Sequence, residues 1–161
     1  MPVATHSSPI VLHRQLCAKD VHYEHHDMLI NIDEIPMKAL SIVRPAGTRI
    51  ANGLKTLEIR RWKPDVRTGE EILLVENEHF LTTDGQGEVG TAVAIITLGD
   101  IREFRQEDIL EACASYYEAG WFAWEIKTIK KIENPFPIRA ERKFYEIDDS
   151  VLNSARLIRV R

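Results

Sequence analysis

The chain has few cysteines, no long apolar run and no excess of positive charge, and each shortage excludes a class of protein. Among its 161 residues are only two cysteines, Cys17 and Cys113, which are widely separated in the sequence. They form no disulfide framework and no metal-spaced pair, so reduced thiols are expected, with a single disulfide between the two as the alternative. No apolar run approaches the roughly 20 residues of a membrane-spanning helix. Charged side chains also interrupt residues 2–20, so no export signal is predicted and a cytoplasmic location is expected.

The charge is unevenly distributed along the chain. A net charge of −4 argues against a protein that coats nucleic acid without selectivity, because such binding comes from neutralised phosphates. Residues 44–67 and 127–143 are nevertheless rich in Lys and Arg, whereas residues 70–88 contain acids and neither Lys nor Arg. If the two basic stretches meet in space, they would attract a phosphate-bearing ligand. The alternative is that they form ordinary solvated strand faces.

The hydrophobic pattern predicts an α+β domain that is mainly β. Alternating and β-branched segments predict strands, and two segments predict short helices. The predicted strands cover residues 38–43, 55–60, 71–76, 88–99, 121–133 and 143–147, and the predicted helices cover residues 45–52 and 106–117. Short strands with two helical insertions in a chain of this length predict a partly open β-barrel.

Residues 53–60, Gly-Leu-Lys-Thr-Leu-Glu-Ile-Arg, set three charged side chains around a helix-to-strand junction. Alternation along the strand puts Glu58 and Arg60 on one face, so Lys55 reaches them only from the turn. Two interpretations follow. In the first, Lys55 and Glu58 form an acid–base pair in a functional site. In the second, the three residues form an ion-pair lattice that fixes the barrel next to the helix.

This stretch resembles the signature Gly-x-Lys-x-x-Glu-x-Arg of the activating-signal-cointegrator homology (ASCH) domain, with Trp62 following where many members carry a tryptophan. Residues 38–45, 122–126 and 135–139 are similar to other segments of that family, in the same order. The resemblance covers about residues 37–148 and implies a PUA-like β-barrel. Residues 1–36 are then an N-terminal extension, either flexible or an added edge strand, with Met37 as an alternative start. Residues 149–161 are a C-terminal tail.

The resemblance also implies a role in RNA metabolism. It favours a basic cleft that binds RNA or a nucleotide-like ligand. No cofactor is predicted. The residues predicted to bind this ligand through charge or by stacking are Arg44, Lys55, Arg60, Trp62 and Trp124. For Trp124 the alternative is a place in the core.

An enzymatic role is the alternative function, with Lys55 and Glu58 as the catalytic residues. The resemblance includes amidohydrolases of acylated cytidine-type nucleosides and ribonucleases. Lys55 matches the catalytic lysine proposed for the amidohydrolases, but Glu58 stands where their hydroxyl residue is expected. Whether this chain is catalytic stays open, as does its oligomeric state.

A histidine cluster in the first 36 residues raises the question of a metal site. His22, His25 and His26 are of the right type, since imidazole binds zinc, copper and nickel. They lack a fourth ligand at the spacing of a closed site, so no metal is predicted.

Overall fold

Seven strands, one α-helix and two 3-10 helices make up residues 36–161, which are the residues that the computed structural model describes. The strands are β1 (Met37–Val43), β2 (Leu57–Arg60), β3 (Ile72–Asn77), β4 (Gly87–Glu103), β5 (Phe122–Glu141), β6 (Phe144–Ile147) and β7 (Leu157–Arg159). The helices are α1 (Ala46–Ala51) and the 3-10 helices Gln106–Ile109 and Asp149–Leu152. No helix in this part of the chain is both long and apolar enough to cross a membrane.

The strands form one curled sheet in the order β2-β5-β4-β3-β1-β6, with β7 pairing with β5 as well. Among the strands of residues 36–161, only the pairing of β1 with β3 is parallel. The long strands β4 and β5 form the centre, and shifts of register between Ala92 and Ile101 mark the bulges that bend this hairpin. Gly90 allows β3 to approach β4 closely, because a Cβ atom there would lie 2.9 Å from the carbonyl oxygen of Glu76.

The sheet curls until its β2 edge approaches strand β1. The guanidinium Nη2 of Arg60 in β2 donates to the carbonyl oxygen of Ser41 in β1, at 2.9 Å. Beside this contact, the Trp62 ring meets the rings of Trp124 and Phe144, with centroids 4.7 and 5.5 Å apart. Side chains therefore close the gap that no strand pairing bridges, which confirms the predicted partly open, mainly β barrel.

Helix α1 packs over one end of this sheet through Glu76 of β3. The Glu76 carboxylate accepts hydrogen bonds from the backbone N–H of Thr48, at 2.7 Å, and from its hydroxyl, at 2.8 Å. Gly47 makes the close packing possible, because a Cβ atom there would lie 2.9 Å from Cβ of Glu76. The helix is followed by Gly53 with a φ of +72°, a left-handed conformation that suits glycine. The predicted helix at residues 45–52 is confirmed.

The second predicted helix, at residues 106–117, was wrong. Its first four residues form the 3-10 helix Gln106–Ile109, turns follow, and Cys113 has a φ of +47°. The apolar spacing was misleading because Leu110 is 85% and Tyr117 42% exposed, so these side chains do not form a core face.

Strand β5 and the C-terminal residues extend the sheet beyond its predicted limits. The strand predicted to end at residue 133 continues to Glu141, with Pro137 paired to Thr91 of β4. The segment predicted as a tail contributes β7, whose Ile158 pairs with Lys131. The predicted N-terminal extension, including its histidine cluster, lies outside the described residues apart from Pro36.

Candidate functional site

A cleft of about 330 Å³ opens beside α1, where β2 approaches β1. Its lining comes from the end of β1, the turn before β2 and β2 itself, the β3–β4 loop, the segment after the first 3-10 helix and the β5–β6 turn. Two groups of residues are named here. The cleft floor is Lys55, Glu58 and Arg60, and the cleft rim is Phe80, Tyr116, Arg142 and Lys143.

Lys55 lies in the turn before β2 and is 5% exposed. Its Nζ is 2.7 Å from the carbonyl oxygen of Leu57, 2.6 Å from that of Ala112 and 3.2 Å from Oε2 of Glu58. These three acceptors match the three N–H donors of an ammonium group. Lys55 therefore holds the turn, β2 and the Ala112 segment together, and a ligand that binds its Nζ directly has to displace one of these contacts.

Glu58 connects the two basic residues of the floor and is 6% exposed. Its Oε1 lies 2.8 Å from Nε of Arg60, although that N–H is not aligned for a hydrogen bond. The ion-pair lattice is thus present. Because all three residues also line the cleft, the lattice and a ligand site are not mutually exclusive.

The carbonyl of Ala112 is positioned by the first 3-10 helix. Both oxygens of Asp108 accept hydrogen bonds from the Arg102 guanidinium, and the N–H of Ala112 donates to the Asp108 carbonyl at 2.9 Å. The hydrogen bonds from Arg102 lower the pKa of Asp108, so this carboxylate stays charged in mild acid. The Arg102–Asp108 pair therefore fixes one wall of the Lys55 site.

The β3–β4 loop forms another wall and is held by Glu88. Its Oε1 accepts from the backbone N–H groups of Glu78, at 2.7 Å, and His79, at 2.9 Å, and its Oε2 lies 2.8 Å from the His79 ring. These bonds, led by those of His79, lower the pKa of Glu88 to about 2. In turn, the hydrogen bond and the charge of Glu88 raise the pKa of His79.

The cleft rim combines exposed aromatic rings with basic groups. Phe80 is 79% and Tyr116 58% exposed. Arg142 binds Asp84 at 2.6 Å, which ties the β5–β6 turn to the β3–β4 loop. The Nζ atom of Lys143 lies over the Trp62 ring, 5.9 Å from its centroid. The cleft thus brings members of both basic stretches together.

Three of the predicted ligand-binding residues lie outside the cleft lining. Trp124 is fully buried, so the prediction that it stacks on a base was wrong. Trp62 packs against Trp124 in the barrel closure. Arg44 forms two ion pairs, one from Nε to Oε2 of Glu76 at 3.4 Å and one from Nη1 to Oε1 of Glu78 at 2.7 Å.

Sequence reasoning did not select the rim aromatics or Asn77, which also lines the cleft. A signal for Phe80 was available, since it is a lone aromatic in a polar, acidic loop. Asn77, at the end of a buried strand, carried no such signal. Within residues 36–161, no group of three or more His, Cys, Asp or Glu side chains is placed to hold a metal ion.

A curled half-barrel with one helix packed beside a charged cleft defines the PUA-like class of small β domains. The model of the ASCH domain matches residues 40–136, which is more than half of the chain, and the chain belongs to the ASCH domain family. A similar solved structure is the crystal structure of a mutant of ZmASCH from Zymomonas mobilis. It is 13% identical with a TM-score of 0.54, and the match covers 76% of this chain and 100% of that one. No curated protein matches the sequence.

Proposed function

We propose that this ASCH domain binds RNA or a nucleotide-like ligand in the cleft, as a component of RNA metabolism. The observation that carries the proposal is that basic groups from two distant stretches of sequence and two exposed aromatic rings line one cleft. Cations that hold phosphate and rings that stack on bases are the two elements of single-strand recognition.

The floor and the rim have different roles in this proposal. Lys55 and Arg60 carry two positive charges against the one negative charge of Glu58, so the floor contributes a positive potential at the base of the cleft. Lys55 is almost completely buried with three acceptors around its Nζ. Arg142 and Lys143 instead lie at the rim, where the carboxylate partner of Arg142, Asp84, is itself almost fully open to water. The rim cations are therefore the groups that contact phosphate, and the floor sets the shape and field of the cleft.

The proposal is tested by titrating a short fluorescent single-stranded RNA at two salt concentrations. The double substitution Arg142→Ala with Lys143→Ala should weaken binding and reduce the salt dependence by about one unit of slope for each phosphate that is no longer neutralised. The matched control is Lys127→Ala with Arg159→Ala, which removes two basic groups that do not line the cleft. No binding by the wild-type protein at tens of micromolar RNA, or an equal loss of affinity in both double variants, would contradict the proposal.

A hydrolase is the second candidate, favoured by the location of Glu58. A carboxylate that is 6% exposed and still lines a cleft is able to activate water, with Lys55 as its acid–base partner. Acylated cytidine-type nucleosides and RNA are the substrates to screen. Glu58→Gln should retain ligand binding and abolish turnover in a hydrolase, whereas a protein that only binds shows no turnover to lose.

A further inference from the structure

The cleft is large enough to enclose only a short piece of an RNA strand. Its volume of about 330 Å³ is at the lower end of the range for small-molecule sites, so the remainder of a bound strand has to run over the surface beside it. Two rings on one side of the cleft, those of Tyr116 and Trp121, lead to such a surface. Their centroids lie 6.2 Å apart, in an edge-to-face arrangement.

Arg61 and Lys63 follow β2 and lie over two rings where β5 begins. The guanidinium carbon of Arg61 is 4.9 Å from the Trp121 ring centroid, and Nζ of Lys63 is 5.2 Å from that of Phe122. Alternation explains the direction of both side chains, because Trp62 between them packs inward in the barrel closure. A cation this close to a ring face is attracted by the ring. Arg61, Lys63, Trp121 and Phe122 are named the basic strip.

The two cations of the basic strip are open to water and free of acid partners. Arg61 and Lys63 are both exposed, and neither forms an ion pair with a carboxylate among residues 36–161. Arg142 at the cleft rim differs, because it forms an ion pair with Asp84. A phosphate therefore reaches Arg61 and Lys63 without displacing a carboxylate, while the rings beneath them limit their motion.

The Trp121 ring joins the cleft to the strip and has a fixed position. It lines the cleft and packs against the core cluster that includes Leu57 and Ala112. Its backbone carbonyl accepts from the N–H of Phe104 at 2.9 Å. The Tyr116 ring beside it is 58% exposed. Bases stack on exposed rings and on guanidinium planes, and cations hold phosphate, so this surface offers both groups that a single strand requires.

We infer that the basic strip is a second contact site for the RNA, on which the strand continues after it leaves the cleft beside Tyr116. Arg61 and Lys63 bind phosphates of the nucleotides outside the cleft, and a base between the cleft and the strip stacks on Tyr116. This inference rests on the proposed function and adds to it the path of the strand. The rings beside the cations favour RNA over an acidic protein segment, which offers charge but no bases.

The experiment compares a fluorescent oligouridine of about twelve nucleotides, which is within the range of single-strand site sizes, with the dinucleotide UpU as a competitor for the cleft. Arg61→Ala with Lys63→Ala should weaken binding of the long oligomer roughly fivefold to tenfold and lower the salt slope by about one unit for each cation. The inhibition constant of UpU should be unchanged, because neither cation lines the cleft. The long oligomer alone decides the test, so it stands even if UpU binds too weakly to compete.

The matched control is again Lys127→Ala with Arg159→Ala. These two cations are exposed and belong neither to the cleft lining nor to the basic strip, so their removal should change the affinity for the long oligomer less than twofold. A second variant, Arg61→Lys with Lys63→Arg, keeps both charges of the strip and should bind with nearly the wild-type affinity and salt slope. Urea denaturation of each variant shows separately whether stability has changed.

The outcomes distinguish the inference from the proposed function. If the rim variant Arg142→Ala with Lys143→Ala weakens binding but the strip variant has no more effect than the control, the inference is overturned and the proposed function stands. Competition by polyglutamate as strong as that by oligouridine of equal charge would also overturn the assignment of the strip to RNA. A loss of affinity in the strip variant without any loss in the rim variant would overturn the cleft as the RNA site and leave only the strip. Absence of RNA binding by the wild-type protein would overturn both.

Discussion

Two glutamates, Glu58 and Glu76, are both almost completely buried but have different surroundings. Glu58 is 6% and Glu76 2% exposed. Glu76 binds the first turn of α1 through the backbone and hydroxyl groups of Thr48 and does not line the cleft. Glu58 faces Lys55 and Arg60 and does line it. Burial of a carboxylate therefore does not by itself mark a functional site, and access from a cleft is the informative difference.

The partners of the two glutamates also predict different responses to substitution. Most of the acceptor capacity of Glu76 is used by uncharged donors, and its cation Arg44 is half exposed. Glu58 compensates a lysine that is almost completely buried. Removal of Glu58 should therefore leave an uncompensated charge in the interior, whereas removal of the Glu76 charge should mainly cost hydrogen bonds.

The largest effect is expected for Glu58→Ala. The free energy of unfolding should fall by about 3 kcal/mol, because Lys55 is left buried without its counter-ion. Urea denaturation measures this change. The double variant Lys55→Met with Glu58→Leu should recover a large part of the loss, since no buried charge remains. A loss below about 1 kcal/mol in the single variant would show that the lattice is more open to water than its 5% and 6% exposures indicate.

Glu76→Gln should have a smaller effect on stability, about 1 to 2 kcal/mol. Glutamine can accept from the backbone N–H of Thr48 through its carbonyl oxygen, and its NH2 group can donate to the Thr48 hydroxyl, which then accepts instead of donating. Two hydrogen bonds to a charged group thus become two weaker neutral ones. RNA affinity should be unchanged, because Glu76 does not line the cleft. Denaturation and RNA titration of the same sample check both parts. A loss of RNA affinity without a loss of stability would break the comparison between the two glutamates.

Asp108→Asn should cost about 1 kcal/mol at neutral pH by weakening the bidentate pair with Arg102. The pH dependence is the sharper test. The pKa of Asp108 in the folded protein lies below its ordinary 3.8. Its contribution to the free energy of unfolding is therefore complete above pH 3.8 and is lost as the pH falls through the lowered pKa. The difference in stability between wild type and Asp108→Asn should accordingly shrink in acid, and a difference that does not change with pH would contradict this assignment.

The smallest effect is expected at the exposed His79–Glu88 pair. The pKa of His79 in the folded protein lies above its ordinary 6.5. The contribution of the His79–Glu88 pair to the free energy of unfolding is therefore complete below pH 6.5 and is lost as the pH rises through the raised pKa. NMR titration of the histidines should show the pKa of His79 falling towards 6.5 in Glu88→Gln. An unchanged value would mean that Glu88 holds the loop through the backbone N–H groups alone.

Local features of the site could be predicted from the sequence because they follow from strand geometry. Alternation puts Glu58 and Arg60 on one face, and their side chains meet at 2.8 Å. The turn position of Lys55 follows from Gly53 and the start of β2. The aromatic residues could not be assigned in this way. Trp124 is fully buried and Phe80 is 79% exposed, and strand alternation alone does not say which of these rings is open to solvent.

By itself, the sequence determined the strand-rich pattern, the family signature and the charged residues of the cleft floor. These depend on short-range spacing, which constrains the faces of a strand and the ends of a helix. Only the tertiary structure decided that Lys55 binds the carbonyl of Ala112, 57 positions away, and that the β3–β4 loop and the basic β5–β6 turn share its cleft. The physical reason is that the curl of the sheet sets exposure and long-range partners, and this curl is a property of all seven described strands together.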